Sequence, residues 1–395
     1  MSENKLYRDR NLQVIFGVTL MAVLGVSSIT PAFPKITQEL NITSMQVGLL
    51  ITFFTLPGVI LAPFLGILAD RFGRKRILVP SLFLFAIAGT ACAFTHDFDT
   101  LLALRAFQGI GGAGIGALNT TILGDLYSGK QRAEAMGLNA SVLSIGTASY
   151  PTIGGALALL GWNYPFALPL LAVPIAILVL LFLKNPEPEN SQELGEYLKN
   201  TWGYLKDIRV LYLFIAGIFT FIILYGAYLT YFTLLLGDSF GASSFIIGLI
   251  MSGMSLTTAI VASQLGRINK RISLENIIKR AFIVYALALV LIPFIPNLWL
   301  MLIPVVIFGI AHGASIPSIQ TAVAALAPLE HRAAFMSINA TVLRLGQTIG
   351  PPLIGLVYIN FGINATFFAA AGLALIVPVL ITMLMGRSKK SEPDP

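Results

Sequence analysis

Long apolar runs, separated by short polar segments, recur along the whole chain. A helix that crosses a bilayer needs roughly 20 mostly apolar residues, and these runs have that length. Their positions do not alternate between apolar and polar, as those of membrane β-barrel strands do. The pattern therefore predicts an all-α membrane protein with twelve transmembrane helices, at 12–36, 45–69, 77–95, 100–124, 135–160, 165–183, 210–236, 244–267, 276–294, 298–325, 334–359 and 365–386.

The composition indicates that lipid is the solvent of this chain. Of its 395 residues, 56% are hydrophobic and 11% are charged, whereas soluble domains carry about 25% charged residues. The single cysteine, Cys92, excludes an internal disulfide, and no Cys/His cluster has metal-site spacing. We therefore expect no bound metal.

The basic residues lie almost entirely on one side of the predicted membrane. If the amino terminus is cytoplasmic and the helices alternate, all 25 lysines and arginines fall in inner segments except Lys35, Arg105 and Arg344. Cytoplasmic loops carry such an excess of basic residues. The bias predicts that both termini are cytoplasmic. It also explains the net charge of +7 by contact with membrane lipids and not with nucleic acid.

The sequence repeats itself at an offset of 200 residues. Residues 132–155 match 332–355 at 10 of 24 positions without a gap. Two related six-helix halves are a known transporter plan, in which the substrate binds between the halves. We predict an N-terminal bundle at 1–183 and a C-terminal bundle at 210–395. The linker at 184–209 carries apolar residues at helical spacing, which predicts an interfacial helix; a solvated linker is the alternative.

A motif of glycines and charges follows the second predicted helix. It contains Gly66, Asp70, Arg71, Gly73 and Arg74. Glycine at position 66 permits the close approach of another helix, and an acid four residues before a base is a favourable helical pair. A charged lock that forms in one conformation and breaks in another is the functional interpretation. A plain positive-inside loop explains the basic residues alone.

This segment resembles the loop signature of the major facilitator superfamily. The fourth predicted helix resembles a second signature of that family, with Leu101, Arg105, Gln108, Gly109 and Gly111. The fifth is similar to the family's antiporter signature, although Tyr150 stands where glycine is usual. The residues that match there, with their repeat copies, are Gly146, Pro151, Gly154, Gly155, Gly350 and Pro351.

The resemblance implies how the protein works. It implies a rocker-switch cycle in which helices 1, 4, 7 and 10 line a cavity. It also implies that the glycine- and proline-rich helices 5 and 8 form the hinge interface. The antiporter signature implies export in exchange for protons, as in the 12-span multidrug efflux family. In that family, the arginine that matches Arg105 is implicated in coupling.

Two nucleotide-binding patterns in the chain are rejected. Residues 109–114 fit a dinucleotide motif and residues 124–130 fit a phosphate-loop spacing, but neither follows a strand. Without ATP hydrolysis, the energy must come from a gradient. We therefore expect no cofactor, no enzymatic activity and a proton gradient as the driving force.

Three ionisable residues lie inside predicted helices: Arg105, His312 and Arg344. Such residues are costly in a membrane and are functional candidates by default. Arg105 alternatively bonds backbone carbonyls, and His312 is alternatively a neutral core residue. Arg344 differs from its repeat partner, Ser144, which favours a functional role. If protons are coupled, the candidate carriers are His312 or acids near the helix ends, namely Asp70, Asp125 and Glu134.

None of the 18 acidic residues lies in the middle of a predicted helix. Buried arginines without acidic partners favour an anionic or neutral amphipathic substrate over a cation. Helical spacing suggests cavity-wall residues, of which Tyr225, Tyr228, Asn119 and Gln320 are the main candidates.

Together these features predict a proton-coupled exporter of small amphipathic or lipophilic compounds, in the cytoplasmic membrane and monomeric. The alternative is a dedicated transporter of one metabolite, such as an organic anion, a sugar or an amino acid. A lipid translocator or a transporter-like sensor would be a different class of protein. The short tails disfavour the sensor, and the internal repeat disfavours a channel.

Overall fold

A computed structural model describes residues 3–184, 207–326 and 332–388 of the chain. These residues are almost entirely helical and contain no strand. Twelve of the described helices are long and apolar enough to cross a membrane, which confirms the predicted number. They are α1 (Arg10–Glu39), α2 (Ser44–Phe72), α3 (Arg74–Phe94), α4 (Phe98–Leu126), α5 (Gly129–Leu160), α6 (Tyr164–Phe182), α7 (Ile208–Ser239), α8 (Ser244–Asn269), α9 (Leu274–Phe294), α10 (Trp299–Leu326), α11 (Arg332–Phe361) and α12 (Ile363–Ser388).

Polar caps and one glycine explain several helix ends. Asp9 accepts a hydrogen bond from the first turn of α1, and Thr43 and Gln46 form a capping box at the start of α2. Gly73 has a φ of 99°, which a side chain would disfavour, and it separates α2 from α3. Several helices extend beyond their apolar runs. For example, α5 begins at Gly129 and not at residue 135, because polar residues at the membrane surface continue the helix.

The internal repeat recurs in the packing. Within the first six helices, a Cβ on Gly109 of α4 would lie 2.2 Å from the carbonyl oxygen of Phe54 in α2. In the second half, a Cβ on Gly309 of α10 would lie 2.7 Å from the carbonyl oxygen of Met254 in α8. Gly109 and Gly309 are 200 residues apart in sequence, and so are their partners Phe54 and Met254. Each half therefore uses the same close helix contact, which only glycine permits.

The chain forms two compact units. The first contains α1 to α6 together with Leu236–Ser252, which is the end of α7 and the beginning of α8. The second contains the rest of α7 and α8 and all of α9 to α12. The sequence places residues 236–252 in the second predicted domain, but glycines on α5 and α8 bring this segment against α5. Most of the predicted linker, 185–206, lies outside the described residues.

Candidate functional site

Arg74 joins two carboxylates at one end of the first unit. It forms an ion pair with Asp70 at the end of α2, and its Nε lies 2.8 Å from Oδ2 of Asp125 at the end of α4. The arginine side chain is 8% exposed, whereas the two carboxylates are 45% and 31% exposed. The loop signature thus fastens α2, α3 and α4 together, and the Asp70–Arg74 pair suggested by the sequence is present.

The other residues of the loop signature have different surroundings. Arg71 is exposed, and its guanidinium carbon lies 5.8 Å from the centre of the Phe72 ring. Lys75 donates from Nζ to the carbonyl oxygen of Leu180 at 2.6 Å, near the end of α6. No described atom lies within 4 Å of a Cβ placed on Gly66. The close helix approach predicted at Gly66 is therefore not found among the described residues.

Neutralising Arg74 should weaken this cluster. We expect Arg74→Gln to slow transport about three- to tenfold. Two partly exposed carboxylates then lose their shared cation, and the free-energy difference between the conformations changes by about 1 kcal/mol. Arg76→Gln is the matched control. Arg76 lies two residues after Arg74 on α3, is exposed, and makes no hydrogen bond or ion pair within the described residues. Equal transport rates for both variants in proteoliposomes would contradict a role for the cluster.

The segment between α4 and α5 is fixed from two sides. The hydroxyl of Tyr127 donates to Oδ2 of Asp9 at 2.8 Å, and Nε of Arg132 lies 2.9 Å from the carbonyl oxygen of Tyr127. Burial, with a further contribution from the bond to Asp9, raises the pKa of Tyr127 above its ordinary value. Tyr127 therefore remains a neutral donor, and it connects the start of α1 to the end of α4.

Arg105 is fully buried inside the first unit. Its Nε donates to the carbonyl oxygen of Leu50 at 3.0 Å, and Nη1 donates to Oε1 of Gln108 at 2.6 Å. The guanidinium carbon lies 4.3 Å from the centre of the Phe54 ring. No described carboxylate lies within ion-pair distance, and Nη2 has no described partner. The structure thus contains the carbonyl contact that the sequence offered as the alternative to a coupling role.

A buried polar cluster joins α1, α4 and α5. The hydroxyl oxygen of Thr19 lies 3.0 Å from Oδ1 of Asn119 and 2.5 Å from Oδ1 of Asn139. One hydroxyl can donate only one hydrogen, so at least one asparagine must turn its NH₂ group toward Thr19. Asn119, predicted to line a cavity, is 6% exposed. Thr19 and Asn139 were not predicted as site residues, although a polar residue in an apolar run is a signal for such a cluster.

The antiporter signature lies on α5 at two very close helix contacts. A Cβ on Gly154 would lie 1.8 Å from the carbonyl oxygen of Ser28 in α1, and one on Gly155 would lie 2.2 Å from that of Ser244 in α8. Conversely, a Cβ on Gly248 of α8 would lie 2.1 Å from the carbonyl oxygen of Pro151. α5 therefore contacts α1 and α8 with backbone against backbone.

Further contacts complete this arrangement. The hydroxyl oxygens of Thr152 and Ser252 lie 2.7 Å apart. A Cβ on Gly146 would lie 3.1 Å from the side chains of Leu20 and Val23 in α1. In the second unit, a Cβ on Gly350 of α11 would lie 3.1 Å from α7, and Pro351 is buried. All six predicted hinge residues thus lie at tight or buried positions.

α7 departs from regular α-helical geometry. Residues Ile223–Phe232 and Leu235–Ser239 form π-helix, a rare conformation that is frequent at functional sites. Tyr228 is buried and stacks with Phe232 and Phe308, with ring centres 5.0 and 4.6 Å away. Tyr225 is only half-buried, and its ring contacts the ring of Phe221. The sequence grouped Tyr225 with Tyr228 by α-helical spacing, but Tyr225 is the more accessible.

The remaining candidates lie on α10 and α11 of the second unit. His312 is half-buried, and its Nδ1 lies 2.5 Å from the hydroxyl oxygen of Tyr285 in α9. Gln320 is exposed. Arg344 is half-buried and has no carboxylate within ion-pair distance among the described residues; the nearby group that acts on it electrostatically is Tyr225. Arg344 is thus an uncompensated cation within a membrane-spanning helix.

The comparisons identify the family. The sequence profile of the Major Facilitator Superfamily matches residues 15–238 and 226–395, and the chain belongs to this family. It is 26% identical over 400 residues to the bacillibactin exporter of Bacillus subtilis (strain 168), covering 98% of each chain. It is 25% identical over 359 residues to the class B tetracycline resistance protein of Escherichia coli, covering 89% of each.

Solved structures show the same fold. A bacterial homologue of the human lysosomal transporter Spinster, in an inward-facing and unoccupied conformation, matches with a TM-score of 0.83 at 16% identity, over 100% of both chains. The chain is therefore a membrane transporter of the Major Facilitator Superfamily with twelve spans.

Proposed function

We propose that this transporter exports small amphipathic or lipophilic compounds, neutral or anionic, in exchange for protons, by alternating access. The observation that carries the substrate class is Arg344, a half-buried cation without a described carboxylate partner. An uncompensated cation in a medium of low dielectric attracts anions and repels cations. The relatives named as a bacillibactin exporter and a tetracycline resistance protein support the direction of transport.

The proposal includes an orientation and an energy source. Both termini lie in the cytoplasm, the protein is a monomer in the cytoplasmic membrane, and its partners are the substrate and membrane lipids. The proton gradient replaces a cofactor. The distribution of basic residues supports this orientation. The tight α5–α8 contact supports antiport, because it lies at the antiporter signature.

Proton movement in proteoliposomes tests the substrate class. A pH-sensitive dye would follow proton flux on addition of anionic, neutral and cationic amphiphiles. We expect the anionic compounds to move protons, and Arg344→Gln to reduce that response at least about tenfold, since a charge-assisted hydrogen bond contributes about 1.5–3 kcal/mol. Arg344→Lys should retain part of the response, because it keeps the charge.

Arg267→Gln is the control for a general charge effect, since the Arg267 side chain is exposed near the end of α8 and, among the described residues, hydrogen-bonds only to Gln264. Proton movement with cationic compounds that persists in Arg344→Gln would contradict the anionic class. Saturable substrate flux without proton movement would contradict antiport. A response to one compound alone would favour a dedicated metabolite transporter.

A further inference from the structure

The bond between His312 and Tyr285 has a direction that the surroundings determine. The two residues lie on α10 and α9 of the second unit, and their bonding atoms are 2.5 Å apart. In a neutral histidine, one ring nitrogen donates and the other accepts. Either Tyr285 donates to Nδ1 and the hydrogen of His312 is on Nε2, or Nδ1 donates to the phenol oxygen.

The burial of Tyr285 distinguishes these arrangements. Tyr285 is 0% exposed and packs against Phe282 and Phe308, with ring centres 5.7 and 4.8 Å away. Its hydroxyl contacts no described polar atom other than Nδ1 of His312. If Nδ1 donated, the phenolic hydrogen would be buried without an acceptor, which costs free energy. If the phenol donates, its hydrogen is satisfied.

The other ring nitrogen has a different environment. Nε2 of His312 makes no hydrogen bond within the described residues, and it is not among the buried polar atoms that lack a partner. His312 is half-buried, so one side of the ring is accessible. With the hydrogen on Nε2, the ring presents a donor on that side.

No charge competes with this arrangement. The titratable group that contacts His312 from α9 is Tyr285, and the nearest tyrosine contact from α7 is indirect, since Tyr228 stacks on Phe308, which in turn contacts Tyr285. No described acidic or basic residue of α7, α8, α9 or α11 forms an ion pair or hydrogen bond with His312. The tautomer therefore depends on the Tyr285 hydroxyl.

We propose that Tyr285 is a positioning residue that holds His312 in its neutral Nε2–H form, so that the imidazole donates a hydrogen bond to a carbonyl or carboxylate oxygen of the substrate. This inference rests on the proposed function for the identity of the ligand, but the tautomer itself does not. Tyr285 does not touch the substrate. It acts through His312 from within the aromatic cluster.

Nitrogen-15 NMR of histidine-labelled protein in lipid nanodiscs tests the tautomer without any substrate. The chain has three histidines, so the spectrum of His312→Gln assigns the signals of His312. We expect the wild type at alkaline pH to show Nε2 protonated and Nδ1 unprotonated. In Tyr285→Phe, we expect a substantial fraction to shift to the Nδ1–H form, because nothing then donates to Nδ1.

Tyr231→Phe is the matched control. Tyr231 is also buried on the second unit, and its hydroxyl has no described partner, so removing that hydroxyl should leave the tautomer of His312 unchanged. A wild type with Nδ1 protonated, or with an imidazolium ring, would overturn the proposal. The same holds for an Nε2–H form that persists in Tyr285→Phe.

Transport kinetics test the link to the substrate. With naphthoate as the probe in proteoliposomes, we expect Tyr285→Phe to raise KM about three- to tenfold while kcat stays within about twofold, because a ground-state hydrogen bond is weakened. An unchanged KM together with saturable transport would overturn the role in binding. If naphthoate is not transported at all by the wild type, the proposed function fails for this probe, and the NMR result still decides the tautomer.

Discussion

Gly248→Ala is expected to reduce transport by at least about tenfold and to destabilise the protein by about 1–3 kcal/mol, the usual cost of overpacking. The added methyl group would lie 2.1 Å from the carbonyl oxygen of Pro151, a backbone atom that cannot rotate away. α8 would have to separate from α5, and the neighbouring contact of Gly155 with Ser244 would be lost with it. Substrate flux in proteoliposomes and thermal unfolding would measure the two effects.

The same helix provides the matched control. Gly253 lies on α8 five residues later, where a Cβ would make ordinary contacts of 3.8 and 3.9 Å with Leu302 and Val305. Gly253→Ala should therefore transport like the wild type, and it should be slightly more stable because alanine favours the helix by about 0.5–1 kcal/mol. If both variants lost transport and stability to a similar extent, the glycines of α8 would be needed for helix flexibility and not for the α5–α8 contact.

A second substitution tests whether the two glycines share one contact. Gly155→Ala places its methyl group 2.2 Å from the carbonyl oxygen of Ser244. Once α8 has moved away from α5, the second methyl group finds space. The double variant should therefore lose less stability than the sum of the single variants, as neighbouring sites do.

The helices were predictable because lipid imposes a simple rule on sequence. Every span must be about 20 apolar residues long, and the basic residues report the count independently. The ends were less predictable: α5 begins six residues before its apolar run, in a segment that contains Lys130 and Arg132. There, polar residues outside the lipid continue the helix, and hydropathy alone carries no signal for this.

The candidate site was predictable where single residues have strong constraints. Glycines and prolines on α5 marked the tight contacts, and Asp70 with Arg74 marked an ion pair. The third member of that cluster, Asp125, is 51 residues from Arg74 in sequence, so no local spacing reveals it. The partner of His312, Tyr285, likewise comes from another helix.

Helix geometry explains why Tyr225 and Tyr228 on α7 differ in exposure. The grouping of Tyr225 with Tyr228 assumed 3.6 residues per turn, but this segment is π-helical. The wider π-helix places Tyr225 and Tyr228 on different faces. The local sequence contains no signal for this change of geometry. Tyr228 is consequently buried in an aromatic stack, whereas Tyr225 is half-exposed near Arg344.

Arg105→Ala is expected to destabilise the first unit by about 3–5 kcal/mol, because it leaves Gln108 without its partner and opens a cavity against Phe54. The apparent melting temperature should fall by roughly 6–20 °C, since 1 kcal/mol corresponds to about 2–4 °C in a domain of this size. The melting temperature of Arg105→Lys should fall less than that of Arg105→Ala, because lysine keeps the charge. It should still fall, because lysine lacks the planar group that stacks on Phe54. Arg76→Ala, at an exposed position of α3, should change stability by less than about 0.5 kcal/mol.

These variants also separate packing from proton coupling. If Arg105 is a packing residue, transport per folded molecule and its pH profile should be nearly those of the wild type in Arg105→Lys, and the loss of activity should follow the loss of stability. If Arg105 couples protons, Arg105→Lys should transport substrate with an altered pH profile that its loss of stability does not explain. The full burial of the side chain and its bond to the Leu50 carbonyl favour the first outcome, because a group with no accessible atom cannot exchange a proton with water unless the helices around it open.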